Sequence, residues 1–444
     1  MNVEVRPIRT AADETLAKAF AGARATLPGG AYVKAQREAA FGRFEACGLP
    51  NRRVEQWKYT DLRAFMREAK PLAVAPGEAE RRRAEAAGAA FAGVKPRRLV
   101  FVDGCFAAEL SDLSALEPGL SITSLAEALA YGAPDVIGRI GDPSVGQGDI
   151  AYALNTAFMA DGVVIRVAAD LQVARPIHLV FAYCSDRGSA VFARSQVVVG
   201  ERACLTLLES HECFGAPDYQ VNSALDLAVG DDAQFDHVKL GSDADGALHV
   251  STIGATLGSN VQLRDFALTL GGTMVRNQLF VTCAGAGAQI DLRGASLLHG
   301  RQHADTTLVL DHAVGGCKSR ELFKAVLEDE SRSVFQGKII VRPKAQKTDA
   351  RMMTQSLLLS ETAETNSKPE LEIFADDVQC GHGATCGALD DQLKFYLMAR
   401  GIPAKEAEAL LIKAFIGEAI DGVAHDGARE ALAAVVAARL DGRG

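Results

Sequence analysis

The sequence predicts a mainly β protein whose core is a parallel β-helix, a solenoid of stacked coils, between α-helical regions at both ends of the chain. Three observations predict it. A turn-plus-strand pattern recurs at nearly constant spacing, short β-branched segments fill the middle of the chain, and few amphipathic helices occur between residues 160 and 345. The scarcity of helices argues against a doubly wound nucleotide-binding sheet, in which strands alternate with helices.

The repeated pattern has the form Gly-x-x-(Ala or Val)-x-(large apolar). Its four clear copies start at Gly200, Gly230, Gly258 and Gly285, so they are 30, 28 and 27 residues apart. A small and a bulky residue two positions apart share one face of a strand, and stacked coils can bury both in one continuous core. The alternative is an antiparallel sandwich with coincidental glycines, but the regular spacing favours the solenoid. Looser copies begin at Glu330 and Ala375.

Changes in sequence character predict three regions: a helical region over 1–95, the β-helix over 96–387 and a second helical region over 388–444. Thr10 and Asp13 are spaced as a capping box at a helix start. Trp57, the only tryptophan, is expected to anchor one segment on another. Asp390 is placed to cap a helix that ends at Gly401, where a left-handed backbone is easily accepted.

Composition and charge exclude several classes of function. The 444 residues include 47 basic and 56 acidic side chains, a net charge of −9, which would repel the phosphates of a nucleic acid. There is neither a secretory leader nor a run of 18 apolar residues, so we expect a cytoplasmic protein that does not enter a membrane. The nine cysteines are scattered, and most, such as Cys47 and Cys105, are expected to be buried and inert.

Local catalytic motifs are missing from the sequence. It contains no G-x-x-x-x-G-K-[ST] phosphate loop, no strand-linked G-x-G-x-x-G, no H-E-x-x-H, no G-x-S-x-G and no C-x-x-C pair. The chain therefore has no local motif for nucleotide binding, hydrolysis or a closed zinc site.

Cys380 and His382 are the pair of residues whose side chains most clearly suggest a chemical role. They are two positions apart, so on a strand they share a face, and Gly381 and Gly383 leave them uncrowded. A thiolate and an imidazole can coordinate iron or zinc, and a thiol of lowered pKa can accept sulfur. Two or three ligands are too few for a closed site. Either a partner chain or water completes it, or the segment is structural and binds no metal.

Two other groups of polar residues are less specific. His299, His303 and His312, with Asp305, lie close in sequence, but neighbouring strand positions alternate faces, so we expect satisfied turn histidines rather than a ligand set. The segment 211–213 (HEC) follows a predicted strand and has no obvious partner.

Five segments of the sequence together form a recognisable set. They are 55–60 (EQWKYT), 153–157 (ALNTA), 368–373 (KPELEI), 376–385 (DDVQCGHGAT) and 395–402 (FYLMARGI). The set resembles the SufB/SufD family of the bacterial Suf iron–sulfur cluster assembly system. Within that family the SufD branch is favoured, because His382 lies between glycines instead of acidic residues and because residues 1–95 hold only Cys47. The resemblance implies a right-handed parallel β-helix between helical termini.

The resemblance also implies a function. It predicts a non-catalytic scaffold subunit that pairs with a SufB-like subunit through the solenoids and binds a SufC-like ABC ATPase through its C-terminal helices. His382, with possible help from Cys380, would hold a transient iron–sulfur cluster or its iron at the SufB interface. Sulfur would come from SufS and SufE, and reduced flavin is associated with some such complexes. No cofactor is expected on the chain alone.

The predicted ATPase contact is an apolar stripe on the second C-terminal helix. The stripe has too few neighbours to be buried on both sides, although simple packing against the end of the solenoid would also account for it. Its residues are Leu410, Leu411, Ala414 and Phe415.

Two rival functions remain open from the sequence. One is a β-helix enzyme acting on polysaccharides, such as a lyase, although such enzymes act on extracellular sugars with carboxylate or calcium clusters. The other is a homodimeric interaction module that acts without a SufB-like subunit.

Overall fold

The computed structural model describes residues 9–140 and 148–442. It is mainly β, with a parallel solenoid of about eight turns flanked by N-terminal and C-terminal helices, as predicted. The α-helices are α1 (Ala11–Ala23), α2 (Ala31–Cys47), α3 (Leu62–Phe65), α4 (Glu78–Ala84), α5 (Leu125–Tyr131), α6 (Pro134–Ile137), α7 (Ile150–Phe158), α8 (Asp391–Met398), α9 (Ala404–Ile420) and α10 (Asp426–Asp441).

Nineteen strands are found within the described residues. They are β1 (Arg97–Val102), β2 (Cys105–Phe106), β3 (Leu120–Ser124), β4 (Val163–Val167), β5 (Ile177–Tyr183), β6 (Ala190–Val199), β7 (Cys204–Cys213), β8 (Gln220–Val229), β9 (Gln234–Ser242), β10 (Leu248–Leu257), β11 (Gln262–Thr269), β12 (Met274–Cys283), β13 (Gln289–Leu298), β14 (His303–His312), β15 (Lys318–Leu327), β16 (Arg332–Val341), β17 (Asp349–Leu358), β18 (Glu364–Ile373) and β19 (Gln379–Gly387).

Successive strands alternate between two sheets. The ten-stranded sheet has the order β19-β17-β15-β13-β11-β9-β7-β5-β1-β2, and the nine-stranded sheet has the order β18-β16-β14-β12-β10-β8-β6-β4-β3. Each coil therefore contributes one strand to each sheet, and the strands of successive coils pair in parallel. Antiparallel pairing is confined, within the described residues, to β1 with β2 and β3 with β4. This topology excludes the antiparallel sandwich.

Close stacking of turns explains the repeated glycines. A Cβ atom added to Gly285 would lie 2.1 Å from the backbone nitrogen of Ser259 in the preceding coil, and one added to Gly200 would lie 2.5 Å from that of Ala169. A side chain at these positions would force the coils apart. The residues that follow in the pattern, such as Ala288 and Ile290, point into the core and are buried.

One of the two looser copies belongs to the repeat. The copy that begins at Ala375 leads into β19 and places Cys380 in the pairing column of Ile290. The copy at Glu330 leads into β16, which lies in the nine-stranded sheet, whereas the clear copies lead into the ten-stranded sheet. The prediction for Glu330 is therefore wrong, because its resemblance to the pattern comes from a different corner of the coil.

The N-terminal helices cover the outer face of the nine-stranded sheet. In α1 the predicted capping box is present, with the Thr10 hydroxyl accepting from the Asp13 amide at 3.2 Å. Phe20, Phe41 and Phe158 pack together over this face. These contacts fasten α1, α2 and α7 to the solenoid.

Trp57 is the predicted anchor. Its ring is buried, its Nε1 donates to Asp149 at 3.0 Å, and the Arg276 guanidinium lies 3.9 Å from the ring centroid. Arg276 in turn pairs with Asp305, and neither side chain is exposed. The N-terminal segment is thus held to β12 and β14 by an aromatic ring stacked on a buried ion pair.

The C-terminal helices cover the outer face of the ten-stranded sheet. Asp390 caps α8, and Gly401 has the predicted left-handed backbone with φ +88°. The face of α9 that packs on the sheet carries Ile412 and Ile416, which the sequence analysis did not single out. The predicted stripe lies beside this buried face.

The cysteines are less uniform than predicted. Cys47 is exposed and Cys105 is half-buried, so the expectation that both are buried is wrong. Cys47 ends α2 on its solvent side, and Cys105 lies on the short terminal strand β2.

No helix within the described residues is long and apolar enough to cross a membrane.

The two ends of the solenoid differ. At the N-terminal end, antiparallel strands β2 and β3 close the sheets. At the other end, β18 pairs with β16 and β19 pairs with β17, and no strand of residues 9–140 or 148–442 pairs with their outer edges. An uncovered strand edge carries unpaired amides and carbonyls and favours pairing with another chain. This open end holds the site predicted from the sequence.

Candidate functional site

Cys380 and His382 lie on β19, the last strand of the ten-stranded sheet. Cys380 is half-buried and packs against the solenoid core, whereas His382 is exposed. Their positions in the pairing register are those of inward-facing residues of earlier coils, Ala350 and Met352. The predicted thiol–imidazole pair therefore lies on one strand face at the open end of the solenoid.

The outer edge of β19 keeps its hydrogen-bonding groups free. The Gln379 amide donates to the Thr348 carbonyl at 2.8 Å. Because alternate residues of a parallel strand bond to opposite neighbours, the amides of Cys380, His382 and Ala384 are directed away from β17. The last coil thus offers both a ligand pair and a row of unpaired backbone donors.

The row of outward-directed backbone amides along β18 is interrupted by a proline. The Glu364 amide donates to the Ser331 carbonyl at 3.1 Å, so the odd-numbered residues of β18 are directed outwards. Pro369 is one of these outward residues, and proline has no amide proton to donate. The proline leaves β19 as the better strand edge for pairing.

Burial raises the pKa of the Cys380 thiol, and the nearby Asp349 and Glu321 carboxyl groups act in the same direction. The Ala350 amide only partly offsets these effects. In the chain alone Cys380 is therefore a neutral thiol. The raised pKa does not favour the alternative of a thiol activated by a lowered pKa, because burial opposes formation of the thiolate.

Glu321 is a residue that the sequence analysis missed. It occupies the same inward column as His382, with Met352 between them. Both carboxylate oxygens are buried without a hydrogen-bond partner. Burial raises the pKa of Glu321 from 4.5 to about 8, and Ser319 and Arg320 offset this only in part. An ionisable group thus lies two coils below the imidazole.

We expect Glu321→Gln to remove a pH-dependent loss of stability. Because the folded state holds this proton while the unfolded state releases it, the stability of the wild type falls as pH rises from about 4.5 to about 8. The variant should be more stable at pH 8 by on the order of 3 kcal/mol and equally stable at pH 4. Urea unfolding at several pH values checks this, with the exposed Glu330→Gln as the control. Parallel pH profiles for wild type and Glu321→Gln would contradict it.

A depression of about 570 Å³ crosses the last coils of the ten-stranded sheet and is bordered by Cys380 and His382. Three arginines, Arg293, Arg320 and Arg351, also border it. Arg293 pairs with Asp291 at 2.7 Å and Arg320 pairs with Asp349 at 2.7 Å, so part of this positive charge is balanced within the chain.

Cys386 lies on the same strand but too far from Cys380 to share an ion with it. Six strand residues span about 20 Å. Cys386 is exposed and pairs in register with Ser356. Of the two cysteines, Cys380 is the one close to His382.

The histidines grouped in sequence do not form one site. His303 and His312 lie in β14, so the prediction that these histidines lie in turns is wrong for both. His303 contacts Thr60 at 2.9 Å on the outer face, whereas His312 lies near Cys283 in the interior. His299 contacts Gln302 and Arg439.

His211, in the segment 211–213, is a buried strand residue with two partners. It contacts Glu209 at 2.7 Å and the Tyr183 hydroxyl at 2.7 Å. The prediction of a segment that follows a strand and lacks a partner is therefore wrong, because these positions end β7 and His211 is buried.

An exposed apolar surface lies on the C-terminal helices. No residue of α8 is buried, and Phe395 is 73% exposed. On α9, Leu410 and Ala414 are exposed, whereas Leu411 and Phe415 are half-buried. Phe415 is covered by the Lys324 ammonium, 4.3 Å from its ring centroid. The predicted stripe thus divides into exposed and partly packed residues.

Two family models match the chain. The model described as SUF system FeS cluster assembly, SufBD core domain, matches residues 182–415, and the SufBD protein N-terminal region matches residues 11–179. The chain belongs to the SufBD family. The core-domain match includes β19 with Cys380 and His382, so the open end of the solenoid lies within the family's core.

Curated relatives agree with the family match. A SufBD family protein of iron–sulfur cluster assembly from Synechocystis is 32% identical over 400 residues, covering 87% of each chain. The iron–sulfur cluster assembly protein SufD of Escherichia coli is 28% identical over 398 residues, covering 89% of this chain and 90% of its own. SufD of Bacillus subtilis is 28% identical over 289 residues, covering 64% of this chain and 65% of its own.

Proposed function

We propose that this SufBD family member is a non-catalytic scaffold subunit that pairs with a SufB-like subunit through the open β19 edge. His382, assisted by Cys380, binds a nascent iron–sulfur cluster or its iron where the two chains meet. The cluster is the cargo of the assembly and not a resident cofactor. The observation that carries the proposal is the coincidence of an exposed imidazole, a neighbouring thiol and an unpaired strand edge in one coil.

Chemistry supports a shared site over a closed one. Cys380 and His382 offer one sulfur and one nitrogen, and a tetrahedral iron or zinc site takes four ligands. A partner strand at the β19 edge can bring further thiolate ligands close to His382. A bound metal would also stabilise the Cys380 thiolate, which the chain alone does not.

The test is to co-express the chain with SufB-like and SufC-like partners and measure iron and acid-labile sulfide in the purified complex. His382→Ala should lower both by at least tenfold while the complex still forms. Cys380→Ser should lower them less. Cys386→Ser is the matched control, because it lies on the same strand away from the pair, and it should match the wild type. Wild-type iron and sulfide in His382→Ala would refute the proposed role of His382.

We also propose that a SufC-like ATPase binds the exposed apolar surface of α8 and α9, including Leu410 and Ala414. The large exposed side chains of α8 support this assignment. Burying one large apolar side chain contributes about 1.5 kcal/mol or more to binding. Deleting the whole region would also uncover the sheet beneath Ile412 and Ile416, so point variants are the cleaner test.

Phe395→Ser and Leu410→Ser should each weaken ATPase binding by roughly tenfold, because each removes apolar area from the proposed interface. Tyr131→Ser removes an exposed aromatic group in the N-terminal half and should leave binding unchanged. Isothermal titration calorimetry measures the affinity. Equal affinities of the wild type and the three variants would show that the ATPase does not bind this surface of α8 and α9.

The same strand edge can pair with a second copy of this chain, so the homodimeric module is an outcome of the experiment. Analytical ultracentrifugation of the chain with and without the SufB-like subunit separates the two. Replacement of a homodimer by a heterodimer supports the proposal, and a homodimer that persists with excess SufB-like subunit contradicts it. None of the relatives reported above is described as acting on polysaccharides.

A further inference from the structure

One corner of the solenoid holds two cysteines and a histidine at positions that are aliphatic in other coils. Cys283 ends β12 and His312 ends β14, and the column they share continues as Val229 and Leu257 on one side and Val341 on the other. Cys317 occupies the small-residue position of the repeat, which is alanine or valine in the four clear copies.

These three residues converge in space. The Sγ atoms of Cys283 and Cys317 and a ring nitrogen of His312 all lie within 4.8 Å of one another, and all three residues are buried. The distance from Cys283 Sγ to His312 Nδ1 is 3.8 Å. Polar side chains at buried positions cost stability unless they are hydrogen-bonded or bind a common partner.

The arrangement fits a metal ion with tetrahedral geometry. Zinc bonds of about 2.3 Å to sulfur and about 2.0 Å to nitrogen place two such ligand atoms about 3.6 Å apart. This is close to the 3.8 Å between Cys283 Sγ and His312 Nδ1. Two thiolates would also neutralise a divalent cation, so the filled site would carry no net charge in the interior.

The imidazole is oriented for such a role. Its Nδ1 faces Cys283 Sγ, and its Nε2 lies 3.3 Å from the Ser319 hydroxyl. Ligating histidines commonly use one ring nitrogen for the metal and donate the other to a nearby oxygen.

We propose that Cys283, His312 and Cys317 form a buried binding site for one divalent metal ion, zinc or ferrous iron, with a fourth position open to water or a small ligand. The site is distinct from the open end of the solenoid. Ser319, which contacts His312, lies in the same column as Cys380 but two coils away. Two coils correspond to about 10 Å, which separates the buried site from the open end. The proposal does not depend on the role of His382.

Cobalt titration of the full-length, reduced chain after chelator treatment tests the site. We expect one Co²⁺ per chain, with thiolate-to-cobalt charge-transfer absorption and the intense visible bands of tetrahedral cobalt. Cys283→Ser and Cys317→Ser should each weaken binding by at least tenfold. Two controls should bind as the wild type does: Cys184→Ser, a buried cysteine elsewhere in the solenoid, and Cys380→Ser at the open end.

X-ray absorption of the zinc-loaded wild type tests the same site without any variant that could misfold. The expected first shell contains two sulfur atoms at about 2.3 Å and one imidazole nitrogen. A shell with no more than one sulfur atom would overturn the proposal, because the open-end pair supplies only Cys380. No thiolate band in the wild type, or a band lost only in Cys380→Ser, would overturn it as well. Either result would leave Cys283, His312 and Cys317 as a hydrogen-bonded core cluster.

Discussion

Ala384→Pro is expected to weaken the proposed pairing with the SufB-like subunit by roughly a hundredfold while the chain itself stays folded. Ala384 is exposed on β19, and its amide is directed away from β17, so its proton is not part of the solenoid's own ladder. Proline would remove that donor and place its ring on the pairing edge. The loss of two or three hydrogen bonds across the interface amounts to about 3 kcal/mol, or roughly a hundredfold in affinity.

The matched control for this experiment is Ala384→Val, which enlarges the side chain but keeps the amide proton. Affinity for the SufB-like subunit can be measured by biolayer interferometry, with circular dichroism as the check on folding. We expect the valine variant to bind within a few-fold of the wild type. If the proline variant bound as tightly as the valine variant, the partner would not pair with the β19 edge.

Asp305→Ala is expected to lower the free energy of unfolding by about 3 kcal/mol or more. Asp305 pairs with Arg276, accepts from the Thr307 hydroxyl at 3.0 Å and contacts Thr60, and neither charged side chain is exposed. Without the carboxylate the guanidinium is a buried charge with no opposite charge beside it. Removing one partner of a buried pair costs about 3 kcal/mol or more. Urea unfolding measures the change.

A double variant and an exposed pair serve as controls. Arg276→Met combined with Asp305→Leu removes both charges and should regain much of the lost stability, because apolar residues can replace a buried ion pair. Glu78→Ala breaks the exposed pair with Arg82 and should cost about 0.5 kcal/mol or less. A loss below about 1 kcal/mol for Asp305→Ala would show that the pair does not hold the N-terminal segment to the solenoid.

The solenoid could be predicted from the sequence because its turn glycines have a steric cause. Where coils touch, as at Gly285 and Ser259, a side chain does not fit, so glycine recurs in the four successive coils of the clear pattern. The prediction for the copy at Glu330 was wrong because a six-residue pattern does not show to which sheet the following strand belongs. The packed face of α9 was missed because nearly every residue around Leu410 is apolar, which leaves helical periodicity ambiguous.

The candidate site was only partly predictable. Cys380 and His382 are two residues apart, so strand geometry alone places them on one face. Glu321 is found only through the stacking of coils, since it lies 31 residues before Met352 in the same column. Cys283 and His312 are 29 residues apart, which is one coil. A search for polar residues at core positions one coil apart in sequence could have found Glu321 and the pair of Cys283 and His312.

The proposed bond between His382 of this chain and the iron of a cluster shared with a SufB-like subunit can be measured. Pulsed electron paramagnetic resonance detects it in a complex in which only this chain carries ¹⁵N-labelled histidine and the iron is brought to a paramagnetic state. We predict a ¹⁵N coupling to the electron spin that disappears in His382→Ala and persists in His299→Ala. A complex that contains the cluster but gives no ¹⁵N coupling would show that His382 does not bind its iron.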